Sequence, residues 1–162
     1  MDRRRFIRLG LGSGAVVVSG VGLYLWAQPE PGGPDLIWRR VADAVLDGVL
    51  PTEASRRDRA LDEHLVRLGV AVGGLSGPTQ LELEDLLKIL ATAPGRLGLM
   101  GLTVPWALAS REQVQAGLNT LRFSGLEIKQ QAFHALRDLT NATYFTAQTN
   151  WDVLGYPGPT EL

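Results

Sequence analysis

The chain has 162 residues, of which 45% are apolar, so it can bury the core of a single domain. It has no cysteine, which excludes disulfides, c-type haem attachment, cysteine-ligated iron–sulfur clusters and a thiol nucleophile. Residues 1–27 hold four arginines and one aspartate, which leaves the rest of the chain with a net charge of −4. Such an acidic body lacks the positive surface that nucleic-acid binding needs, and we exclude nucleic acid as a partner.

Residues 1–27 predict an export signal or a membrane anchor, because residues 1–8 are basic and residues 9–27 carry no charge. The basic part resembles the twin-arginine export signal: Arg3 and Arg4 match the arginine pair and Phe6 its aromatic position, while Asp2 replaces the usual Ser or Thr. The alternative is a plain transmembrane anchor, since a helix over 9–27 would span about 28 Å. The cleavage site is poor, because Leu25 stands where a small residue is expected. An uncleaved helix that anchors the protein to the inner membrane therefore stays open.

Residues 28–34 contain three prolines and predict a linker. From residue 35 to 162 the apolar residues recur at helical spacing, with no strand-like alternation, which predicts an all-α domain, a small irregular bundle of about five helices. Helix-capping residues predict where each helix begins, and proline or glycine predicts where it ends. We expect helices from Asp35 to about Leu50, from Asp58 to Val72, from a Thr79–Glu82 capping box to Ala93, from a Ser110–Gln113 capping box to about Phe123, and from Leu126 to about Thr143.

The stretch between Arg96 and Ala109 is almost uncharged and is interrupted by glycines and Pro105. It predicts a short buried helix or a packed loop. The alternative is an exposed apolar patch, from Leu97 to Leu108, for a partner or a lipid surface.

No arrangement of residues predicts catalysis or metal binding. His64 and His134 are the only histidines, and neither has a neighbour at the spacing of a zinc-binding helix. We expect both on the surface or on a helix face, with the carboxylates on solvated helix faces. The sequence therefore predicts no catalytic residue, no metal and no cofactor in this chain, although an enzyme with a carboxylate-based site is a rival interpretation.

The C-terminal tail, residues 144–159, is unusually aromatic for the end of a small domain. Asn150 is expected to cap a short turn that carries Trp151, and Gly155 to end that turn in the left-handed conformation. The Pro157-Gly158-Pro159 that follows predicts a stiff, extended arm. The arm either folds back over the core of its own domain or docks on another protein through its aromatic side chains.

Several of these residues resemble one family. The Tyr144-Phe145 pair, Trp151 and the Leu154-Gly-Tyr-Pro-Gly-Pro159 run, in a small exported helical protein, resemble the small (gamma) subunits of membrane-associated, FAD-dependent sugar and alcohol dehydrogenases, the gluconate 2-dehydrogenase subunit 3 family. The Val49-Leu50-Pro51-Thr52 step resembles the turn after the first helix of that family. The following loop, residues 53–57, departs from the family pattern.

The resemblance implies a non-catalytic accessory subunit in the periplasm that binds a large FAD-dependent (GMC-type) dehydrogenase subunit, helps it mature and exports it through the twin-arginine translocase. FAD would then be bound by the partner, and a cytochrome c subunit would be reached through the complex. The implied docking residues are Trp151, Leu154, Gly155, Tyr156, Pro157 and Pro159. The rival is a stand-alone, membrane-tethered helical binding module.

Overall fold

The computed structural model of this chain describes residues 27–151 and Gly155. The described part contains six α-helices, two short 3-10 helices and no strand, which confirms the all-α fold class for these residues. The α-helices are α1 (Gly33–Val45), α2 (Ala54–Gly73), α3 (Gly77–Leu90), α4 (Ala93–Met100), α5 (Arg111–Arg122) and α6 (Glu127–Phe145). The 3-10 helices are Trp106–Leu108 and Gln148–Asn150.

Helix α1 lies at the centre of the domain, where it packs against α2, α3, α5, α6 and the Trp106–Leu108 turn. Ile37, Trp38 and Val41 are buried almost completely, and Ala42 and Ala44 bury further sides of the helix. Full burial of a large apolar side chain stabilises a fold by about 1.5–3 kcal/mol. The first helix is therefore the element on which the others assemble.

The bounds of α1 differ from the predicted ones at both ends. It begins at Gly33, two residues before Asp35, with Pro34 in its first turn. Proline is accepted there because the first N–H groups of a helix have no intrahelical partner. The helix ends at Val45, and a turn with Gly48 at a φ of 87° leads to Leu50. A positive φ of this kind favours glycine, which explains why the helix does not continue to Leu50.

The break between α3 and α4 comes earlier than predicted. It lies at Ala91 and Thr92, and Pro94 and Gly95 belong to the first turn of α4. The Thr92 hydroxyl accepts a hydrogen bond from the Gly95 N–H at 3.2 Å, so Thr92 caps the new helix. Pro94 and Gly95, which were predicted to break the helix, thus form the start of α4.

One predicted capping box is present and the other is wrong. At the start of α5 the Ser110 hydroxyl accepts from the Gln113 N–H and the Gln113 side chain accepts from the Ser110 N–H. Helix α3 instead begins at Gly77, and Thr79 lies inside it with its hydroxyl against that of Ser76.

The stretch from Arg96 to Ala109 forms most of α4, a loop and the Trp106–Leu108 turn, as the prediction of a short buried helix or packed loop expected. Trp106 is 1% exposed, and its indole N–H donates to the Leu90 carbonyl at 2.7 Å. Met100 and Leu102 are also buried, whereas Leu97 and Leu108 are exposed. The stretch is therefore mainly core, with two apolar side chains at the surface.

A buried ion pair attaches the segment before α1 to the body. The Arg96 guanidinium is 3% exposed and pairs with the Glu30 carboxylate, while its Nε donates to the Leu102 carbonyl at 3.0 Å. The other Glu30 oxygen accepts from the Trp106 N–H at 2.9 Å, and the Glu30 N–H donates to the Ala91 carbonyl at 2.8 Å. Burial lowers the pKa of Arg96. Glu30, expected in a free linker, is thus part of the packed structure.

We predict that Glu30→Ala lowers the free energy of unfolding by about 3 kcal/mol, because it leaves the buried Arg96 charge without its carboxylate. Chemical denaturation measures the change. The control is Glu84→Ala, which removes an exposed carboxylate paired with Lys88 and should cost less than about 0.5 kcal/mol. Equal losses in the two variants would contradict a structural role for the buried pair.

Two glycines of α4 are expected to respond in opposite directions. A Cβ at Gly95 would overlap the Ile89 carbonyl oxygen, whereas a Cβ at Gly98 would meet nothing within 4 Å. We expect Gly95→Ala to destabilise the domain by about 3 kcal/mol and Gly98→Ala to stabilise it by about 0.5 kcal/mol. Thermal unfolding of both variants tests this pair, and a tolerated Gly95→Ala would show that α3 and α4 do not approach so closely.

Candidate functional site at the C-terminal end of the last helix

The chain turns back on itself directly after α6. The Asn150 side-chain amide donates to the Tyr144 carbonyl at 2.7 Å, and the Trp151 indole N–H donates to the Phe145 carbonyl at 2.8 Å. The last carbonyls of a helix have no intrahelical partner, so these two side chains supply donors where the helix lacks them. The start of the tail is therefore fixed to the helix end by its own side chains.

Asn150 ends the 3-10 helix Gln148–Asn150, and its side-chain amide bonds back to α6. The turn that Asn150 is predicted to cap continues into residues 152–154, which lie outside the described residues. Gly155 has a φ of 65°, so the expected left-handed conformation is confirmed. Leu154, Tyr156, Pro157 and Pro159 lie outside the described residues, as do the export-signal residues Arg3, Arg4 and Phe6.

Tyr144 belongs to the core and is not part of an arm. It is 3% exposed and packs in a second core cluster with Leu46, Leu50 and Leu61. Trp151, by contrast, is only partly buried. The described aromatic residues of the tail thus pack wholly or partly on the domain, whereas the arm itself, residues 157–159, lies outside the described residues.

The structure places His64 in the interior, against this end of α6, whereas the sequence predicted a histidine on the surface or on a helix face. His64 is 0% exposed, and its ring lies edge-on to the Tyr144 ring at a centroid distance of 6.0 Å. Neither ring nitrogen has a hydrogen-bond partner in the described part of the chain, and the same is true of the Arg67 Nε. Burial, together with the nearby Arg67 charge, lowers the pKa of His64 to about 4.

The sequence did carry a signal for this burial. His64 follows Leu61 by three residues and precedes Leu68 by four, so it lies on the same helix face as two buried leucines. Spacing alone could have assigned it to the core. His134, in contrast, is on the surface as expected, with a side chain 63% exposed beside Asp138.

A network of arginines and aspartates joins α1, α2 and α5 on another side of the domain. Asp43 accepts from Arg57 at 2.6 Å and from Arg111 at 3.2 Å, and Asp47 pairs with Arg111 at 2.8 Å. Arg39 pairs with Asp58 at 2.8 Å and with Asp62. The groups surround an open depression of about 200 Å³.

The charges in this depression are largely matched to one another. Arg39, Arg57 and Arg111 each bond carboxylates, and Arg40 donates to the carbonyls of Trp106 and Ala107 at 3.0 and 2.6 Å. The arrangement resembles a structural connection between helices more than a binding site, because a ligand would have to compete with carboxylates already in place.

The described residues contain neither a metal-binding cluster nor a membrane-spanning helix. No group of three or more His, Asp or Glu side chains there could hold a metal ion. None of the helices in residues 27–151 is long and apolar enough to cross a membrane.

Comparisons with known proteins identify no relative. No protein-family model matches the sequence, and neither the curated proteins nor the solved structures give a match. The resemblance to the dehydrogenase small subunits therefore rests on the sequence motifs alone, chiefly those at the two ends of the chain.

Proposed function

We propose that this chain is a non-catalytic small subunit that binds a larger FAD-dependent dehydrogenase, helps it mature and exports it by the twin-arginine route. The observation that carries the proposal is the pairing of two motifs in one short chain. Arg3-Arg4-Arg5-Phe6-Ile7-Arg8 resembles the export signal, and Leu154-Gly-Tyr-Pro-Gly-Pro159 resembles the tail of the small-subunit family.

The composition supports an accessory role. The twin-arginine route carries folded cargo, often with a cofactor already bound, and this chain has no recognisable cofactor motif of its own. A cofactor-bearing partner that lacks an export signal would need such a companion. The proposed location is the periplasm, with an uncleaved N-terminal helix as an additional anchor in the inner membrane.

The docking surface is proposed to begin at Trp151. Its indole is held by the Phe145 carbonyl, so its orientation is set before any partner arrives, and a partly exposed, pre-oriented aromatic ring loses little entropy on binding. Leu154, Gly155, Tyr156, Pro157 and Pro159 are proposed to continue the surface. Tryptophan and tyrosine are the residue types that contribute most to binding at protein interfaces.

A second candidate is a stand-alone, membrane-tethered binding module. Leu108 supports it, since this apolar side chain is 75% exposed within the Leu97–Leu108 stretch, the alternative partner-binding face. Against it, Met100, Leu102 and Trp106 of the same stretch are buried, so little contiguous apolar surface remains there.

The proposal predicts that the tagged protein, isolated natively from the periplasm and membranes of its host, carries a larger chain with flavin absorbance in stoichiometric amount. Replacing Trp151 and Tyr156 with alanine should weaken this association by about 30-fold, the equivalent of a 2 kcal/mol interface residue. Leu108→Ala is the matched control, because it removes an exposed apolar side chain from another part of the surface.

Each result discriminates between the candidates. A colourless protein that is recovered alone and well folded would contradict the accessory-subunit function. Loss of binding in Leu108→Ala and not in the tail variant would move the docking surface to the Leu97–Leu108 stretch. Circular dichroism of the purified variants must show unchanged helix content in either case.

Replacing Arg3 and Arg4 with lysine should leave both proteins of the complex in the cytoplasm. The positive charge is kept, so a plain anchor oriented by its charge would still insert. Fractionation of the cells with antibodies to each protein measures the outcome. Normal export of the lysine variant would contradict the twin-arginine assignment.

A further inference from the structure

The contact between α2 and the end of α6 contains a histidine whose ring nitrogens have no hydrogen-bond partner within residues 27–151. His64 comes from α2 and Tyr144 from α6, and the two rings meet edge-on. Tyr144 and Phe145 then offer the carbonyls that hold Asn150 and Trp151. The His64 ring thus packs against the same turn of α6 whose carbonyls bind Asn150 and Trp151.

This position tolerates a neutral imidazole and disfavours a charged one. The charged or titratable groups that face the ring in the described part of the chain are Arg67 on α2 and the phenol of Tyr144 on α6. Arg67 carries the same sign as a protonated histidine and so repels it. The second core cluster, which brings α1 to this contact, supplies apolar side chains such as Leu46 and Leu50. A proton on His64 would therefore be buried without a carboxylate or a hydrogen-bond acceptor.

We propose that His64 is an acid-sensitive latch: protonation separates the end of α6 from α2, and the last turn of α6, no longer packed on α2, unwinds together with the 148–151 turn that is bonded to it. The device requires no particular partner, so it stands independently of the proposed function. In a protein exposed to the outside pH, it would loosen the root of the tail when the surroundings become acidic.

The direction and size of the effect follow from linkage. In the open form the ring is solvated and has the ordinary histidine pKa of about 6.5, whereas in the closed form the pKa is about 4. The open form thus binds the proton more tightly, so opening increases as the pH falls from about 7 and levels off below about 4. At pH 5 the open fraction should be about 30 times that at pH 7.5.

Amide hydrogen exchange in the whole chain tests the latch. Thr146, Asn150 and Trp151 have backbone N–H groups bonded to Ala142, Ala147 and Gln148, so their exchange reports opening of this end. Their protection factors, corrected for the intrinsic effect of pH, should fall about 30-fold between pH 7.5 and 5. The Val114 N–H, which bonds to Ser110 at the start of α5, should change less than about threefold if the opening is local.

Two substitutions separate His64 from other acid effects. His64→Leu replaces the ring by an apolar side chain of similar volume and should abolish the pH response of the three amides. His134→Asn removes the exposed histidine and should leave the response at about 30-fold. A pH response that persists in His64→Leu, or an equal loss of protection at Val114, would overturn the latch.

A second measurement does not depend on any substitution at His64. The chain has only two histidines, so their ring signals can be followed by NMR in the wild-type protein and assigned with the His134→Asn variant. The His64 signal should titrate at least one pH unit below 6.5. A midpoint at or above 6.5 would mean that the ring is solvated or paired with a carboxylate, and would overturn the proposal.

Discussion

A buried arginine constrains much of this structure. Arg96 lies inside the domain, and a guanidinium there requires both a counter-charge and acceptors for its N–H groups. Glu30 supplies the charge and Leu102 an acceptor, and Glu30 also binds the backbone of Trp106. Three separate parts of the chain are therefore held together: the segment before α1, helix α4, and the loop that carries the Trp106 side chain into the core.

The Glu30–Arg96 pair also determines where the N-terminal segment is attached to the helical domain. Because Glu30 is fixed, the packed domain starts at least three residues before α1, close to the end of the proposed export segment. At the other end, the Trp151 indole binds the last turn of α6. Both ends thus leave the domain from defined positions. That suits a protein whose proposed work, export and docking, depends on its two terminal motifs.

The polar groups inside the domain fall into two contrasting classes. Arg96 is paired with Glu30, and Asp43 is paired with Arg57 and Arg111, so these charged groups connect separate parts of the chain. The His64 ring nitrogens have no hydrogen-bond partner among the described residues, so the ring contributes only packing, including its edge contact with Tyr144. An unpaired buried base weakens its own contact when it takes up a proton, because the charged form is left without a partner. The contact between α2 and α6 is thus the place where protonation of His64 should act.

Some features were predictable because they are local. Helical spacing of the leucines gave the all-α class, and the Ser110–Gln113 pair marked the start of α5, since a capping box involves only neighbouring residues. Gly155 could be assigned its left-handed conformation for the same reason. The export-signal residues Arg3, Arg4 and Phe6, and the tail residues Leu154, Tyr156, Pro157 and Pro159, are known from the sequence alone, because they lie outside the described residues.

Other features were decided by contacts between distant residues. A linker rich in proline does not reveal that Glu30 will meet Arg96, because their side chains are brought together only when α4 folds against the segment before α1. Likewise Asn150 bonds back to Tyr144 because the chain reverses after α6. His64 is buried because α6 lies over that face of α2, and a helix pattern shows which face is apolar without showing what covers it. Local spacing determined the helices of this protein, and packing between them determined which polar groups are buried, paired or left without a partner.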